Sequence, residues 1–327
     1  MAAHRVTLIP GDGIGPEVVG AARRVLDATG VAVDWDERGA EEAAASVRET
    51  RVALKGPTST PVAGRRSLNL ALRAELDLHT SIRPVRYGGV DLVVARMNGE
   101  DLYAGVEFEP GSAEATEVAR LAGGRIPAGA GVSLKPLSED AARRSVRTAL
   151  RWARDAGRER VTIAHKATVM RATDGVFLDV ARAEAEAAGL EARDVLVDTL
   201  CGDLARGRAA DHDVLLAPVM YGDILSDLVA GLAGGPGIAP NANLGDEHAV
   251  FEPVHGSAPR RAGQGVANPF AAILAGAMLL RHVGEADAAS RVERAVAESR
   301  TLTYDLAPAG SAAASTDEAA EAVAAAL

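Results

Sequence analysis

The chain has 327 residues, 48% of them hydrophobic and 24% charged, with a formal net charge of −10. That length exceeds the usual single-core size of about 100 to 200 residues and predicts two domains, while the acidic balance argues against a nucleic-acid partner. Cys201 is the only cysteine, so no internal disulfide is possible and a reducing, cytoplasmic setting is expected.

The segment MAAHRVTLIPGDG shows no charged-then-apolar leader. The longest apolar run, AAILAGAMLL at 271–280, falls short of the roughly 18 residues of a membrane span, so no membrane partner is expected. RVTLIP (5–10) reads as a strand, and PEVVGAARRVLDAT (16–29) as a helix with Pro16 early in its first turn. Between them GDGIGPE (11–17) occupies the place of a dinucleotide fingerprint, but Pro16 stands where the third glycine belongs. The loop is open to two readings, a departed phosphate cradle or a tight turn.

Further on, VDLVVAR (90–96) reads as a strand, SEDAARRSVRTALRWARDAG (138–157) as a helix and RVTIAHK (160–166) as a strand. DVLVD (194–198) reads as an apolar strand ended by Asp198. MYGDILSDL (220–228) reads as a helix with Asp223 and Asp227 one turn apart on one face, where like charges repel. An Ala-rich helix, DEAAEAVAAAL (317–327), ends the chain. Strands alternating with helices predict an α/β fold with a substantially parallel sheet.

Three groups of residues carry candidate chemistry. Asp198, Asp223 and Asp227 are isolated carboxylates of the kind that hold Mg2+ with waters; the alternative is a solvated helix face with Asp198 as a cap. Arg73 in SLNLALR, Arg83 in the SIRPVR turn and Arg96 at a strand end would bind a polycarboxylate if gathered, and are surface ion-pair partners if not. Tyr103 and Lys166 are candidate proton carriers, since a lysine of depressed pKa acts as a general base near neutral pH; each alone is equally well structural.

Together the segments IPGDGIGPEV (9–18), LKGPTSTPVAGRRSLNLALRAELDLHTSIRPVR (54–86), EDLYAGVEF (100–108), HKATVMRATDG (165–175), GDILSDL (222–228), IAPNANLGDEHAVFEPVHGSAP (238–259) and ANP (267–269) resemble the β-decarboxylating dehydrogenases of isocitrate and isopropylmalate. They follow the family's order over nearly the whole chain. The resemblance implies hydride transfer from a 2-hydroxy acid to a nicotinamide, followed by loss of CO2. It implies Mg2+ or Mn2+ on Asp223 and Asp227 with Asp198 of a neighbouring subunit, a carboxylate clamp of Arg73, Arg83 and Arg96, Lys166 as base and Tyr103 as acid. Lys166 would reach across from that neighbour, which implies a homodimer. The fold implied is a two-domain, open, largely parallel α/β structure without a standard Rossmann unit. Its large domain takes residues 1–80 with 235–327, and its small, dimer-forming domain takes 81–234.

Ser67 and Asn69 match the polar pair of isocitrate enzymes, favouring isocitrate over an apolar substrate. Arg260 and Arg261 stand where NAD-using members usually carry Asp, and with Tyr304 they imply NADP, NAD remaining possible. His255, Gly256 and Asn268 match the adenosine loop, and Thr58 and Thr60 the loop near the nicotinamide. The chain departs from the pattern at Met97 (usually Glu), Gly99 (usually Thr) and Asp203 (usually Gln), and CGDLARGRAADHD is longer than the pattern by about one residue. These departures, with the extra Arg65, leave two alternatives: another 2-substituted malate (isopropylmalate, homoisocitrate or a phosphonomethyl analogue), or a non-catalytic regulatory subunit.

Overall fold

A computed structural model describes residues 3–59 and 68–327. Its strands are β1 (His4–Ile9), β2 (Val33–Glu37), β3 (Val52–Lys55), β4 (Thr80–Tyr87), β5 (Val90–Met97) and β6 (Glu107–Phe108). They continue with β7 (Val132–Ser133), β8 (Arg160–His165), β9 (Glu191–Leu196), β10 (Val214–Ala217), β11 (Pro240–Leu244) and β12 (Ala249–Pro253). Strands β6 and β7 form a separate antiparallel pair. The other ten make one sheet in the order β2-β1-β3-β12-β11-β4-β5-β10-β8-β9.

Three antiparallel pairings, β12-β11, β11-β4 and β4-β5, sit in the middle of this sheet, and every other pairing is parallel. The fold is therefore α/β with a largely parallel sheet, as expected. Strands β3 and β10 are buried along their whole length, which is why VLLA is an unbroken apolar run and VALK is one apart from Lys55. One end of the sheet, β2 to β11, is built from residues 4–55 and 240–253; the other, β4 to β9, from residues 80–217.

Helix Gly15–Ala28 begins with Pro16 in its first turn, where a missing N–H costs no intrahelical bond, and buries Val18, Val19, Ala22, Val25 and Leu26. It lies on helix Phe270–His282, where the Leu26 side chain packs over Gly276: a Cβ there would stand 2.7 Å from Leu26 Cδ1 and displace it. The apolar run at 271–280 is thus a buried core helix, and no helix among the described residues is long and apolar enough to cross a membrane. The terminal helix Thr316–Ala325 opens on a reciprocal Ser315–Glu318 capping box.

Two local readings are corrected. Arg83 lies inside strand β4, not in a turn: β11 pairs only as far as Ile82, so Pro84 costs no ladder bond on that side. Asp198 does not end a strand; β9 stops at Leu196, and Asp198 sits in the first turn of helix Val197–Ala205.

Candidate active site

A cleft of about 330 Å3 opens beside the central antiparallel strands. Its wall includes Thr58, Asn69, Arg73, Arg83, Arg96, Tyr103, Asp223, Glu252, His255 and Gly256. Arg73 comes from helix Leu68–Glu75, Arg83 from β4, Arg96 from β5, and Asp223 from helix Val219–Ala233. Three consecutive elements thus place three guanidiniums on one cavity, and a fourth, much later in the chain, adds the carboxylate.

Asp223 is the anion between two of them, Arg83 and Arg96. Its Oδ1 lies 2.6 Å from Arg96 Nη1 and 3.2 Å from Arg83 Nη1, and its Oδ2 accepts from the Tyr103 hydroxyl at 2.5 Å. Gly222, one residue earlier, makes room for this: a Cβ there would stand 2.3 Å from Arg96 Cβ. Burial pushes the Asp223 pKa up, but the pull of Arg96, Arg83, the Tyr103 hydroxyl and Arg73 exceeds it, and the net value lies below an ordinary aspartate.

The arginines answer in the opposite sense. Burial, with Arg83 and Arg73 close by, lowers Arg96 to about 9, and burial also lowers Arg83. Both Nε atoms are buried without a partner, so each guanidinium keeps unused donors. For Tyr103 burial is the largest cause and Asp223 the next, and both raise the phenol above its ordinary value. Partial burial likewise raises Asp227, with Arg83 pulling down and Asp223 pushing back up. Among the described residues no cationic group lies within 4 Å of Asp227.

Beneath the arginines lies a polar floor that the sequence reading missed. Glu252, buried in β12, accepts from Lys55 Nζ at 2.7 Å, Arg73 Nη2 at 3.3 Å, Asn241 Nδ2 at 3.0 Å and Asn243 Nδ2 at 2.7 Å. Burial alone would raise its pKa; Lys55 and Arg73 reverse the sign and hold it far below the carboxylate range. Arg73 is held a second time, Nε donating to Asn243 Oδ1 at 3.0 Å. The available signal was a charged residue inside each of two strand-like runs, VALK and AVFEP.

Toward the other end of the cleft Thr58 Oγ1 donates to Asn69 Oδ1 at 2.9 Å, while Thr60, Arg65 and Ser67 lie outside the described residues. His255 Nδ1 donates to the Gly256 carbonyl at 3.1 Å, and its buried Nε2 has no partner; burial lowers its pKa, which keeps the imidazole neutral. Arg260 and Arg261 form an exposed turn, the Arg261 guanidinium stacked 3.8 Å from the centre of the Tyr304 ring. Asn268 is tied inward, Nδ2 donating to Asp305 Oδ2 at 2.9 Å and Oδ1 accepting from Phe270 N at 2.9 Å.

Lys166 and Asp198 pair with each other, Nζ to Oδ1 at 2.6 Å, and neither lines this cleft. No group of three metal-ligating side chains exists within the single chain among the described residues. Met97 faces the core on the side of β5 away from Arg96, Gly99 has open space around its Cα, and Asp203 pairs with Arg206 and Arg208. Along helix Val219–Ala233, Met220, Ile224 and Leu232 form an exposed apolar stripe on the outer face.

The family model for isocitrate/isopropylmalate dehydrogenase matches residues 5–323. A Caenorhabditis elegans protein named as a probable NAD isocitrate dehydrogenase subunit alpha, mitochondrial, is 38% identical over 93% of this chain and 87% of its own. An Archaeoglobus fulgidus NADP isocitrate dehydrogenase is 39% identical over 90% of this chain and 86% of its own. Among solved structures, isocitrate dehydrogenase from Methylococcus capsulatus superposes with a TM-score of 0.89 at 40% identity, covering 99% of both chains. A β-decarboxylating dehydrogenase from Thermococcus kodakarensis gives 0.82 at 35% identity, covering 99% of this chain and 96% of its own. With the sheet order, the arginine-lined cleft and these likenesses in agreement, the chain belongs to the isocitrate/isopropylmalate dehydrogenase family.

Proposed function

We propose that this protein oxidises and decarboxylates isocitrate to 2-oxoglutarate with reduction of NADP, as a homodimer using Mg2+ or Mn2+. The observation that carries the reading is the convergence of Arg73, Arg83 and Arg96 on one cavity beside Tyr103 and Asp223. Three guanidiniums suit a tricarboxylate, because each binds a carboxylate through two parallel hydrogen bonds.

Asp223 and Asp227 fit a divalent cation: both are hard oxygen donors one turn apart on one helix, and no cationic group among the described residues lies within 4 Å of Asp227. When bound, the cation supplies Lewis-acid polarisation of the substrate hydroxyl and its neighbouring carboxylate. Lys166 of the neighbouring subunit takes the hydroxyl proton, and its Asp198 completes the oxygen donors. Tyr103, whose raised pKa keeps it protonated at neutral pH, returns a proton to the carbon from which CO2 has left. The apolar stripe of Met220, Ile224 and Leu232 supports subunit pairing beside the acidic residues of the same helix.

The unpartnered His255 Nε2 is an acceptor suited to an adenine amino group, and Arg261, braced on Tyr304, suits a 2′-phosphate. Residues 1–80 with 235–327 and residues 81–234 act as the two bodies that close on the cleft and exclude water. The single cysteine supports a reducing, cytoplasmic location.

The test is the initial rate of NADP reduction with D-isocitrate and Mg2+, against NAD and an EDTA blank. Chelator-sensitive NADP reduction is the expected result. Faster turnover of NAD refutes the coenzyme assignment alone. Turnover only with isopropylmalate or homoisocitrate moves the substrate, and silence with every 2-substituted malate from a folded, Mg2+-supplied protein leaves the regulatory alternative.

A further inference from the structure

The GDGIGPE loop sits where a dinucleotide fingerprint would, yet its polar groups are spent on protein. Asp12 N donates to Pro57 O at 2.7 Å, Asp12 Oδ2 accepts from Ser59 N at 2.7 Å, and Ile14 N donates to Ser257 O at 2.9 Å. Gly13, at φ +61°, is packed so tightly that a Cβ would lie 1.9 Å from Ser257 O. The loop touches both segments placed at the cofactor, 57–59 and 255–257, and presents no free row of N–H groups to a phosphate. Glu17, in the first turn of the helix that follows, would repel a pyrophosphate there.

Glu17 instead reaches the far side of the arginine turn. Its Oε1 accepts from Gly263 N at 2.5 Å and its Oε2 from Gly265 N at 3.1 Å. Both glycines are left-handed, at φ +75° and +62°, so one carboxylate clips the bend that immediately follows Arg260 and Arg261. The other bonds within this turn are local: Arg261 N to Ala258 O, Gln264 N to Arg261 O, and Gln264 Nε2 to Arg260 O. Beyond the clip, Gly265 O accepts from Thr316 N at 2.8 Å, anchoring the downstream end. Glu17 therefore ties the backbone of this turn to the body of the protein, and the stacking of Arg261 on Tyr304 is the other side-chain contact that does so.

We infer that Glu17 is a positioning residue for coenzyme selection, holding Arg260 and Arg261 where they meet the ribose phosphate without touching the coenzyme itself. The inference rests on the NADP reading above. Two hydrogen bonds to a carboxylate order this turn before binding; without them the coenzyme must order it. Affinity for the phosphorylated ribose should then fall by about tenfold, while the arginine-lined cleft is untouched.

The experiment compares wild type, Glu17→Ala and Glu17→Gln in three measurements. These are the KM for NADP and for isocitrate, calorimetric binding of adenosine 2′,5′-bisphosphate, and amide hydrogen exchange over residues 258–266. Glu17→Ala should raise the NADP KM and the bisphosphate Kd about tenfold, with kcat at saturation and the isocitrate KM within about twofold and faster exchange confined to the turn. Glu17→Gln, which keeps one acceptor oxygen and the helix, should fall between. Unchanged bisphosphate binding in Glu17→Ala overturns the inference, as does equal weakening of bisphosphate and isocitrate, which marks general loosening. A wild type that reduces NAD and ignores NADP and the bisphosphate refutes the coenzyme reading and the inference with it; a wild type that uses NADP beside an unaltered Glu17→Ala refutes the inference alone.

Discussion

Replacing Glu252 by Gln tests whether the floor of the cleft is an electrostatic scaffold. The side chains of Glu252 and Lys55 are almost fully buried, at 7% and 1% exposure, and their atoms meet at 2.7 Å. Glutamine preserves shape and one acceptor oxygen but removes the charge, leaving the Lys55 ammonium with the Gly56 carbonyl at 2.9 Å as its remaining close oxygen contact apart from the new amide. Removing one member of a buried ion pair costs about 3–5 kcal/mol, because the surviving charge stays desolvated. That is a large share of a typical stability of about 5–15 kcal/mol. Arg73 also loses a partner at 3.3 Å, keeping Asn243 on its Nε, so isocitrate affinity should fall as well. Urea unfolding followed by circular dichroism at pH 7 measures the first effect and the isocitrate KM the second. A stability loss below about 1 kcal/mol would refute the scaffold argument.

The same residue predicts a pH dependence. The folded pKa of Glu252 lies below its ordinary value near 4.5, so its contribution is fully present above about pH 5 and is lost as pH falls toward the folded value. Wild-type stability should therefore drop with acidification below pH 5 more steeply than that of Glu252→Gln.

Asp227→Asn should lower turnover at least about a hundredfold while leaving the chain folded, since it weakens the proposed cation site and relieves repulsion with Asp223. A titration of rate against Mg2+ checks it, and full activity at saturating Mg2+ would remove Asp227 from the mechanism. Arg261→Ser should reduce kcat/KM for NADP by about tenfold or more and leave that for NAD within about threefold, because a charge-assisted phosphate contact is lost. Equal losses with both coenzymes would show that the stacking on Tyr304 is structural only.

The α/β class was legible because strand-like apolar runs, such as those of β1, β5 and β8, alternate with helix-period segments. The position of β4, held between β11 and β5, was not: pairing between residues 80–87 and 240–244 leaves no local trace, and Pro84 read as a turn. The gathering of the arginines was invisible because the turn reading at Pro84 hid the β4-β5 hairpin that sets Arg83 near Arg96, and nothing local shows helix Leu68–Glu75 laying Arg73 on the same cavity. Glu252 and Lys55 went unnoticed because a charged residue in a short strand carries no sign that its partner lies across the ladder. Asp198 was placed one element too early, at the end of a strand, because VLVD gives no boundary between β9 and the helix that follows.

The order of strands also constrains how the chain comes to be folded. Every neighbour within the β4-β5-β10-β8-β9 half comes from residues 80–217, so that half can assemble as soon as this stretch exists. Strand β3, although made early, has β12 as one of its two neighbours, with Ala249 opposite Val52, and helix Phe270–His282 packs over the same half. During synthesis the first 55 residues must therefore wait, exposing an apolar edge, until the last third of the chain is released, while the middle has already become a template. Pulsed hydrogen exchange on refolding chains should find β5, β8 and β10 protected before β1 and β3.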